Sequence, residues 1–389
     1  MDTNTHTVNR INVNDEGNCC GCLACLAVCP ANAISKTENE RGFIIPAIDD
    51  SKCINCGLCL RTCDFKKEHK EPSNNKKAYA LIFGDKKVLR KSTSGGAFSA
   101  LSDVVLRESG FVVGSVMEDD FTIHHVITNV SGCRDRMRGS KYVQSDIHEI
   151  FHPINDLLLR GEKVMFSGTP CQCAALRSFL GQEYDNLIVV DLLCHGVPNN
   201  NLFKEHISYL EKYYGKKIVE YSFRDKKFGW DSYTNVVRLS NNREKAKWIN
   251  QVFYSFFVNS VSLRLSCFNC VYRSYHRYSD ITIGDFWGYN RIAEKKNKKG
   301  VSLVLVHSDK GQRLIEESAQ FAEIHEIEVD KVKKNIQIQP TSTKLNKDAF
   351  WKIYQEAGYS GLAHKYFDNS VVKQMRFEVK KIIKKMCLF

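Results

Sequence analysis

Cys19-Cys20-Gly21-Cys22-Leu23-Ala24-Cys25-Leu26-Ala27-Val28-Cys29-Pro30 and, after a linker, Cys53-Ile54-Asn55-Cys56-Gly57-Leu58-Cys59-Leu60-Arg61-Thr62-Cys63-Asp64 decide how this chain is read. With Cys20 set aside as a bystander, both runs obey one rule, C-x2-C-x2-C-x3-C. That spacing holds a pair of 4Fe–4S cubanes, in which three close thiolates clamp one cluster and the fourth cysteine of the run ligates the other. The rule assigns Cys19, Cys22, Cys25 and Cys63 to one cluster and Cys53, Cys56, Cys59 and Cys29 to the second. Zinc takes four ligands, usually as two separated pairs, and fits these runs poorly. Disulfides belong to secreted chains, and the polar N-terminus shows no leader. Asp64 stands where a proline is usual, a position that shapes the turn and ligates nothing.

Working outward, 389 residues are too many for a two-cluster module alone and predict two or three domains. No run of 18 apolar residues occurs, so no spanning helix is expected; the nearest stretch, Trp248 to Leu265, is broken by Asn250, Gln251, Asn259 and Arg264 and reads as a buried helix. The 16 cysteines place the chain in a reducing cytoplasm. Net charge is +12 and unevenly spread: residues 1–75 hold 8 basic and 10 acidic residues, so the remainder carries 48 against 34, a net of +14. A basic body suits an acidic redox partner or an anionic membrane; no nucleic-acid motif is present.

The expected organisation is a two-cluster domain over 1–70, a larger domain over 71–365 and a basic helix over 366–389. A first strand is expected at 9–13, a short helix at Pro30–Ile34 and a hairpin strand at Phe43–Pro46. Residues 66–77, charged and turn-rich, mark the boundary. Beyond it, strands are predicted at Ala78–Phe83, Phe111–Val116, His124–Asn129, Lys163–Phe166 and Leu187–Asp191, with helices over Ala97–Ser109 and Cys171–Leu180 that end at Gly110 and Gly181. The fold class is a small ferredoxin-like module followed by an α/β domain with a mixed sheet, to which Ile218–Phe223 and Asn235–Leu239 would add strands.

Four further pieces carry chemistry. Ser92-Thr93-Ser94-Gly95-Gly96-Ala97 opens a helix and is either an anion site for a flavin or nucleotide phosphate or an ordinary N-cap. Phe166-Ser167-Gly168-Thr169-Pro170-Cys171-Gln172-Cys173 and Leu192-Leu193-Cys194-His195-Gly196-Val197-Pro198 follow adjacent predicted strands, where α/β sheets bind ligands, and Thr169 joins the candidate cofactor residues. Ser266-Cys267-Phe268-Asn269-Cys270 is a C-x-x-C, followed by Asp280-Ile281-Thr282-Ile283-Gly284-Asp285-Phe286-Trp287. Two cysteines at adjacent strand ends and the pair of the C-x-x-C supply four thiolates for a third cluster or for zinc. His195 is a candidate general acid; a structural role for it, or for His124 and His125, is the alternative. No G-x-G-x-x-G or Walker motif occurs.

The ordered set STSGGAF, GSKYVQSD, SGTPCQ, LLCHGVP, CFNC and DITIGDFWG behind a two-cluster module resembles the coenzyme F420 hydrogenase/dehydrogenase beta-subunit family over about residues 10–360. The resemblance implies a flavoprotein that binds FAD and moves electrons between iron–sulfur clusters and a two-electron partner. It implies Ser94, Gly95 and Gly96 as the glycine-rich flavin segment, with Ser140, Lys141, Tyr142 and Gln144 beside the flavin. Lys141 suits a flavin phosphate or a reduced, anionic ring. It implies Cys171, Cys194, Cys267 and Cys270 as third-cluster ligands, with Cys173 a rival to Cys171. The LLCHGVP and GDFWG wording resembles bacterial relatives associated with surface polysaccharide loci.

The expected function is an iron–sulfur flavin-dependent oxidoreductase, fed by a ferredoxin or another low-potential donor and serving coenzyme F420 or a small metabolite. The alternatives are an electron-transfer subunit for a partner enzyme, for instance in surface polysaccharide synthesis, and an iron–sulfur protein without flavin. Residues 371–386 form a basic amphipathic helix able to lie on an anionic membrane at the inner face of the cell, or to dock on the core. Cys387-Leu388-Phe389 is one residue short of a prenylation box.

Overall fold

A computed structural model describes residues 10–12, 16–67, 77–274, 277–293, 296–333 and 341–386. Most of the expected linker, the two ends of the expected first strand (Asn9 and Val13) and Cys387–Phe389 lie outside the described residues; residues 10–12 are not a strand.

The N-terminal module is a hairpin of β1 (Ile34–Glu38) and β2 (Ile44–Ile48), with Ile34 opposite Ile48, flanked by the two cysteine runs. The helix expected over Pro30–Ile34 does not form. The short helices lie inside the runs, at Ala24–Ala27 and Leu58–Thr62, and Ile34 already belongs to the hairpin. The two runs share a backbone device: Gly21 and Leu23 in the first, Asn55 and Gly57 in the second, take positive φ of 67°, 59°, 53° and 74°. Such left-handed residues turn the chain sharply between successive thiols, and they favour glycine or asparagine.

The main body is built on β3 (Lys77–Phe83), β4 (Phe111–Met117), β5 (Ile123–Thr128), β6 (Val164–Gly168), β7 (Leu187–Leu192), β8 (Ile218–Ser222), β9 (Val236–Leu239), β10 (Glu244–Lys245), β11 (Ile281–Asp285), β12 (Ser302–Val306) and β13 (Ala322–Ile327). Eight of them form one sheet in the order β13-β3-β12-β11-β7-β6-β4-β5. Its centre, β4-β6-β7-β11, is parallel, and the remaining joints are antiparallel, so the sheet is mixed.

Strand alternation explains how helices cover both faces. In the fully buried β6, Met165 packs with Leu101 and Val104 of the helix Ala97–Arg107 and Leu314 of the helix Asp309–Ser318. Val164 and Phe166 point the other way, onto Ile154 of the helix Phe151–Leu159 and Leu176 of the helix Pro170–Leu180. Ala24 of the first cysteine run is buried against this second face, so the module docks there.

β8 and β9 do not join the large sheet; with β10 they form a separate antiparallel sheet. It shares an aromatic core with the helices Asn200–Tyr214 and Lys347–Tyr366 and with Phe253 and Phe256. The stretch expected as one buried helix from Trp248 is a 3-10 turn, Trp248–Gln251, running into the helix Val252–Val258. Phe43 of the module enters the same core, edge-on to Trp351 at 5.6 Å. Among the described residues, no helix is long and apolar enough to cross a membrane.

Candidate functional site

The cysteine runs fold so that their thiols fall into two groups, each around its own hollow. Cys29, Cys53, Cys56 and Cys59 line an open hollow of about 370 Å³ with Pro30 and Ile34. Cys19, Cys22, Cys25 and Cys63 line a second, of about 530 Å³. Each group takes three thiols from one run and the last thiol of the other, the donor set that a pair of cubanes requires. Cys56 is exposed, which puts the first group at the surface. Backbone N–H groups already point at sulfur: Ala33 to Cys29 Sγ at 3.3 Å and Gly21 to Cys19 Sγ at 3.4 Å. Such bonds raise cluster potentials.

The second group is held to the main body by residues the sequence did not single out. Arg264, buried, donates to the carbonyl oxygens of Cys19 and Ile44, both at 2.7 Å, and to Gln144 Oε1 at 3.0 Å; its Nη2 lies 3.8 Å from Cys19 Sγ. Gln144, expected beside the flavin, instead donates to Cys20 O at 3.1 Å and buttresses the cysteine run. Gly21 is required here, because a Cβ would sit 2.5 Å from Ile44 O and 2.7 Å from Arg264 Nη1. Asp64, the departure from proline, accepts from the Tyr272 hydroxyl at 2.9 Å and so ties the second run to the CFNC segment.

Cys20 is no bystander: its thiol meets that of Cys171, and both line the second hollow. Cys171 sits in the first turn of the helix Pro170–Leu180, beside Thr169 Oγ1 at 3.1 Å. Thr169 caps that helix, with Gln172 Oε1 accepting from its N–H at 2.9 Å. The bond from the Cys20 thiol and burial push the Cys171 thiol well above its ordinary value. Cys173, two positions on, points the opposite way into the sheet, its Sγ toward Gly168 O and Val190 O at 3.8 and 3.7 Å.

Because β6, β7 and β11 are adjacent and parallel, the loops after them converge. Cys194 follows β7, and the next turn, Gly196 at φ 132°, lies against Cys267: a Cβ there would be 3.5 Å from Cys267 Sγ. Burial pushes Cys194 up to about 12 and Cys270 up to about 11, with nearby thiolates adding to both. Cys171 acts electrostatically on Cys194, Cys267 and Cys270, so the four expected ligands are neighbours. Among the described residues no three His, Cys, Asp or Glu side chains are drawn closely enough to hold a metal ion.

The segments expected at the flavin meet next to this third group. Thr93 Oγ1 accepts from Ser140 N–H at 2.8 Å and lies 3.2 Å from Ser140 Oγ, which joins STSGG to GSKYVQS. Ser94 Oγ donates to Val301 O at 2.8 Å, and Gly96 is the left-handed N-cap at φ 89°. Gly95 answers to packing, since a Cβ would lie 2.0 Å from Leu81 O and 2.3 Å from Ser302 N. Lys141 donates to the carbonyl oxygens of Met137, Arg138 and Gly139 at 3.1–3.3 Å, and burial pushes it down to about 7. Lys226, missed in the sequence, donates to Leu89 O at 2.9 Å and to Ser94 O, and burial pushes it to about 7 as well. The Tyr142 ring stacks on Phe257 at 4.5 Å, and Phe257 meets the His195 ring at 5.2 Å. His195 Nε2 is 3.0 Å from Ser260 Oγ, and burial lowers its pKa, which favours the neutral ring over the general acid expected of it.

Residues 161–332 match the family of the carboxy-terminal part of the coenzyme F420 hydrogenase/dehydrogenase beta subunit, and residues 18–67 match the 4Fe-4S dicluster domain. Two curated relatives match over short stretches. The methylamine utilization ferredoxin-type protein MauM of Methylophilus methylotrophus is 43% identical over 47 residues, 11% of this chain and 21% of the relative. A tetrathionate reductase subunit of Archaeoglobus fulgidus is 38% identical over 55 residues, 14% of this chain and 25% of the relative. The chain thus spans a quarter or less of these relatives' length. A chain from a solved structure of the F420-reducing NiFe hydrogenase complex of Methanosarcina barkeri aligns over 76% of this chain and 94% of its own length, at 14% identity and a TM-score of 0.45. The two family matches cover separate parts of the chain in the order that the thiol groups and the mixed sheet occupy: a 4Fe-4S dicluster domain over residues 18–67, followed over residues 161–332 by a segment that belongs with the carboxy-terminal part of the coenzyme F420 hydrogenase/dehydrogenase beta subunit.

Proposed function

We propose that this chain carries electrons between a low-potential, ferredoxin-like donor and a two-electron acceptor such as coenzyme F420 or a small metabolite, by way of three 4Fe–4S clusters and FAD. The observation that carries the reading is a continuous succession of groups. It runs from Cys56 at the surface, through the Cys19 group, across the Cys20–Cys171 contact to Cys194, Cys267 and Cys270, and on through His195 and Phe257 to Tyr142. Residues in contact along such a line keep successive redox groups close.

A flavin fits the far end by charge. Lys141 and Lys226 are half-buried lysines whose side chains donate to neutral carbonyl oxygens, with desolvation lowering both to about 7. Such groups gain most from an anion, and perturbed lysines of this kind mark functional sites. When bound, a flavin supplies exchange between one-electron and two-electron carriers. The chain's own part is to hold cations at Lys141 and Lys226, to present the Tyr142 ring, and to keep His195 neutral against Phe257. The Thr93–Ser140 contact fixes the two segments that would flank the group.

Protein purified without oxygen tests this by iron, sulfide and flavin content. About 12 irons and one FAD per chain are expected, four irons per cubane. About 8 irons with bound zinc and no flavin would overturn the reading in favour of a two-cluster module on a zinc-stapled body.

A further inference from the structure

The C-terminal helix Val371–Met386 is docked with its faces reversed. At 100° per residue, Val371, Val372, Met375, Val379, Ile382, Ile383 and Met386 fall within an arc of about 120°. A helix of this pattern ordinarily turns that arc to the core. Here all seven are exposed, from 53% at Val379 to 74% at Met386. The face that touches the body is the opposite one. Phe377 packs on Trp248 at 5.5 Å, Lys384 Nζ reaches Asp231 O and Oδ1 at 2.8 and 2.7 Å, and Lys381 donates to Ala246 O beneath the Phe228 ring. Two lysines of the polar face thus make the dock, and the apolar stripe faces out.

We infer that this outward stripe is a seat for an anionic lipid surface, which holds the protein peripherally with the helix lying in the plane of the interface. Charge selects the occupant. The helix carries six basic residues and one acidic, Glu378, which Lys381 already pairs at 2.8 Å. Arg376 borders the apolar arc on one side and Lys380 lies further round on that side, where long basic stems can reach phosphate while the aliphatic row enters the acyl boundary; Glu378, paired with Lys381, borders the other edge. The row is wholly aliphatic and methionine, without the aromatic anchor that fills a protein pocket. A body of net +14 outside residues 1–75 adds attraction of the same sign.

The test is vesicle co-sedimentation of the full-length, cluster-loaded protein. Vesicles of phosphatidylglycerol and phosphatidylcholine in equal parts should bind it, and pure phosphatidylcholine should bind it at least about tenfold more weakly. Arg376→Gln and Lys380→Gln should each weaken binding about fivefold, the equivalent of about 1 kcal/mol per basic residue near the surface. The double variant Val379→Asp, Ile382→Asp should lose binding with unchanged iron content and circular dichroism, because both side chains are exposed. Equal sedimentation of wild type and double variant would overturn the inference. So would an absence of vesicle binding together with self-association in velocity sedimentation that the double variant abolishes, since the stripe would then seat a second copy.

Discussion

Replacing Arg264 by glutamine removes a buried positive charge from beside the Cys19 thiol without emptying its space. In the folded chain the guanidinium lies 3.8 Å from Cys19 Sγ and makes two 2.7 Å bonds to carbonyl oxygens. A cluster held by that thiol would be centred further off, and at a separation of about 7 Å an effective dielectric of about 20 would leave an interaction of about 2 kcal/mol. A one-electron potential moves about 59 mV for every 1.4 kcal/mol, so the expected shift is about 100 mV. The sign follows from charge. A cation favours the reduced, more negative cluster, and its loss lowers the midpoint potential. Redox titration followed by electron paramagnetic resonance should show one cluster about 100 mV lower and the others nearly unmoved. Loss of the two charge-assisted bonds should also cost about 3 kcal/mol of stability, read as a lower melting temperature. Arg264→Lys separates the effects: it keeps the charge and the potential but loses the planar fork and part of the stability. Unchanged potentials of every cluster in Arg264→Gln would refute the assignment of Cys19 to a cluster beside this guanidinium.

The rival cysteines give opposite expectations. Cys171→Ala should leave about 8 irons per chain, while Cys173→Ala should keep about 12 and lose only about 1 kcal/mol of stability for its buried sulfur; iron analysis beside thermal melts decides. Lys141→Met should flatten part of the pH dependence of flavin-free protein. With the folded pKa near 7 against an ordinary 10.5, the charged lysine is a full burden below pH 7, and stability is gained as pH rises through that window while the unfolded chain still holds its proton. Melting temperatures across it should therefore rise less in the variant than in wild type, and parallel profiles would exclude a buried ammonium at 141. Gly95→Ala should fail to fold whether or not flavin is supplied, since its Cβ would sit 2.0 Å from Leu81 O; a soluble variant deficient only in flavin would show that the glycine serves the ligand.

Much of this molecule follows from local spacing. The C-x2-C-x2-C-x3-C rule alone grouped Cys29 with Cys53, Cys56 and Cys59, because thiols two residues apart on a sharply turned loop can reach one centre and the fourth cannot. Buried strands such as Leu187–Leu192 and the glycine stop after Pro170–Leu180 were equally legible, since periodicity and left-handed caps act over a few residues, whereas the helix Ala97–Arg107 ends before Gly110, with Ser109 taking the left-handed turn. What escaped depends on contacts across the chain. Cys171 and Cys173 look alike in the sequence, but two residues of helix separate them by about 200°, and only the packing of that helix on β6 and β7 decides which faces the other thiols. Gln144 reads as a neighbour of Lys141, yet the module docked on the sheet claims its amide for the Cys20 carbonyl. Arg264 lies about 245 residues from Cys19, and no local pattern announces such a partner. The reversed C-terminal helix makes the same point. Its amphipathic pattern is fixed by residue order, but which face meets the body was settled by where Trp248, Asp231 and the Ala246 carbonyl present partners for Phe377, Lys384 and Lys381.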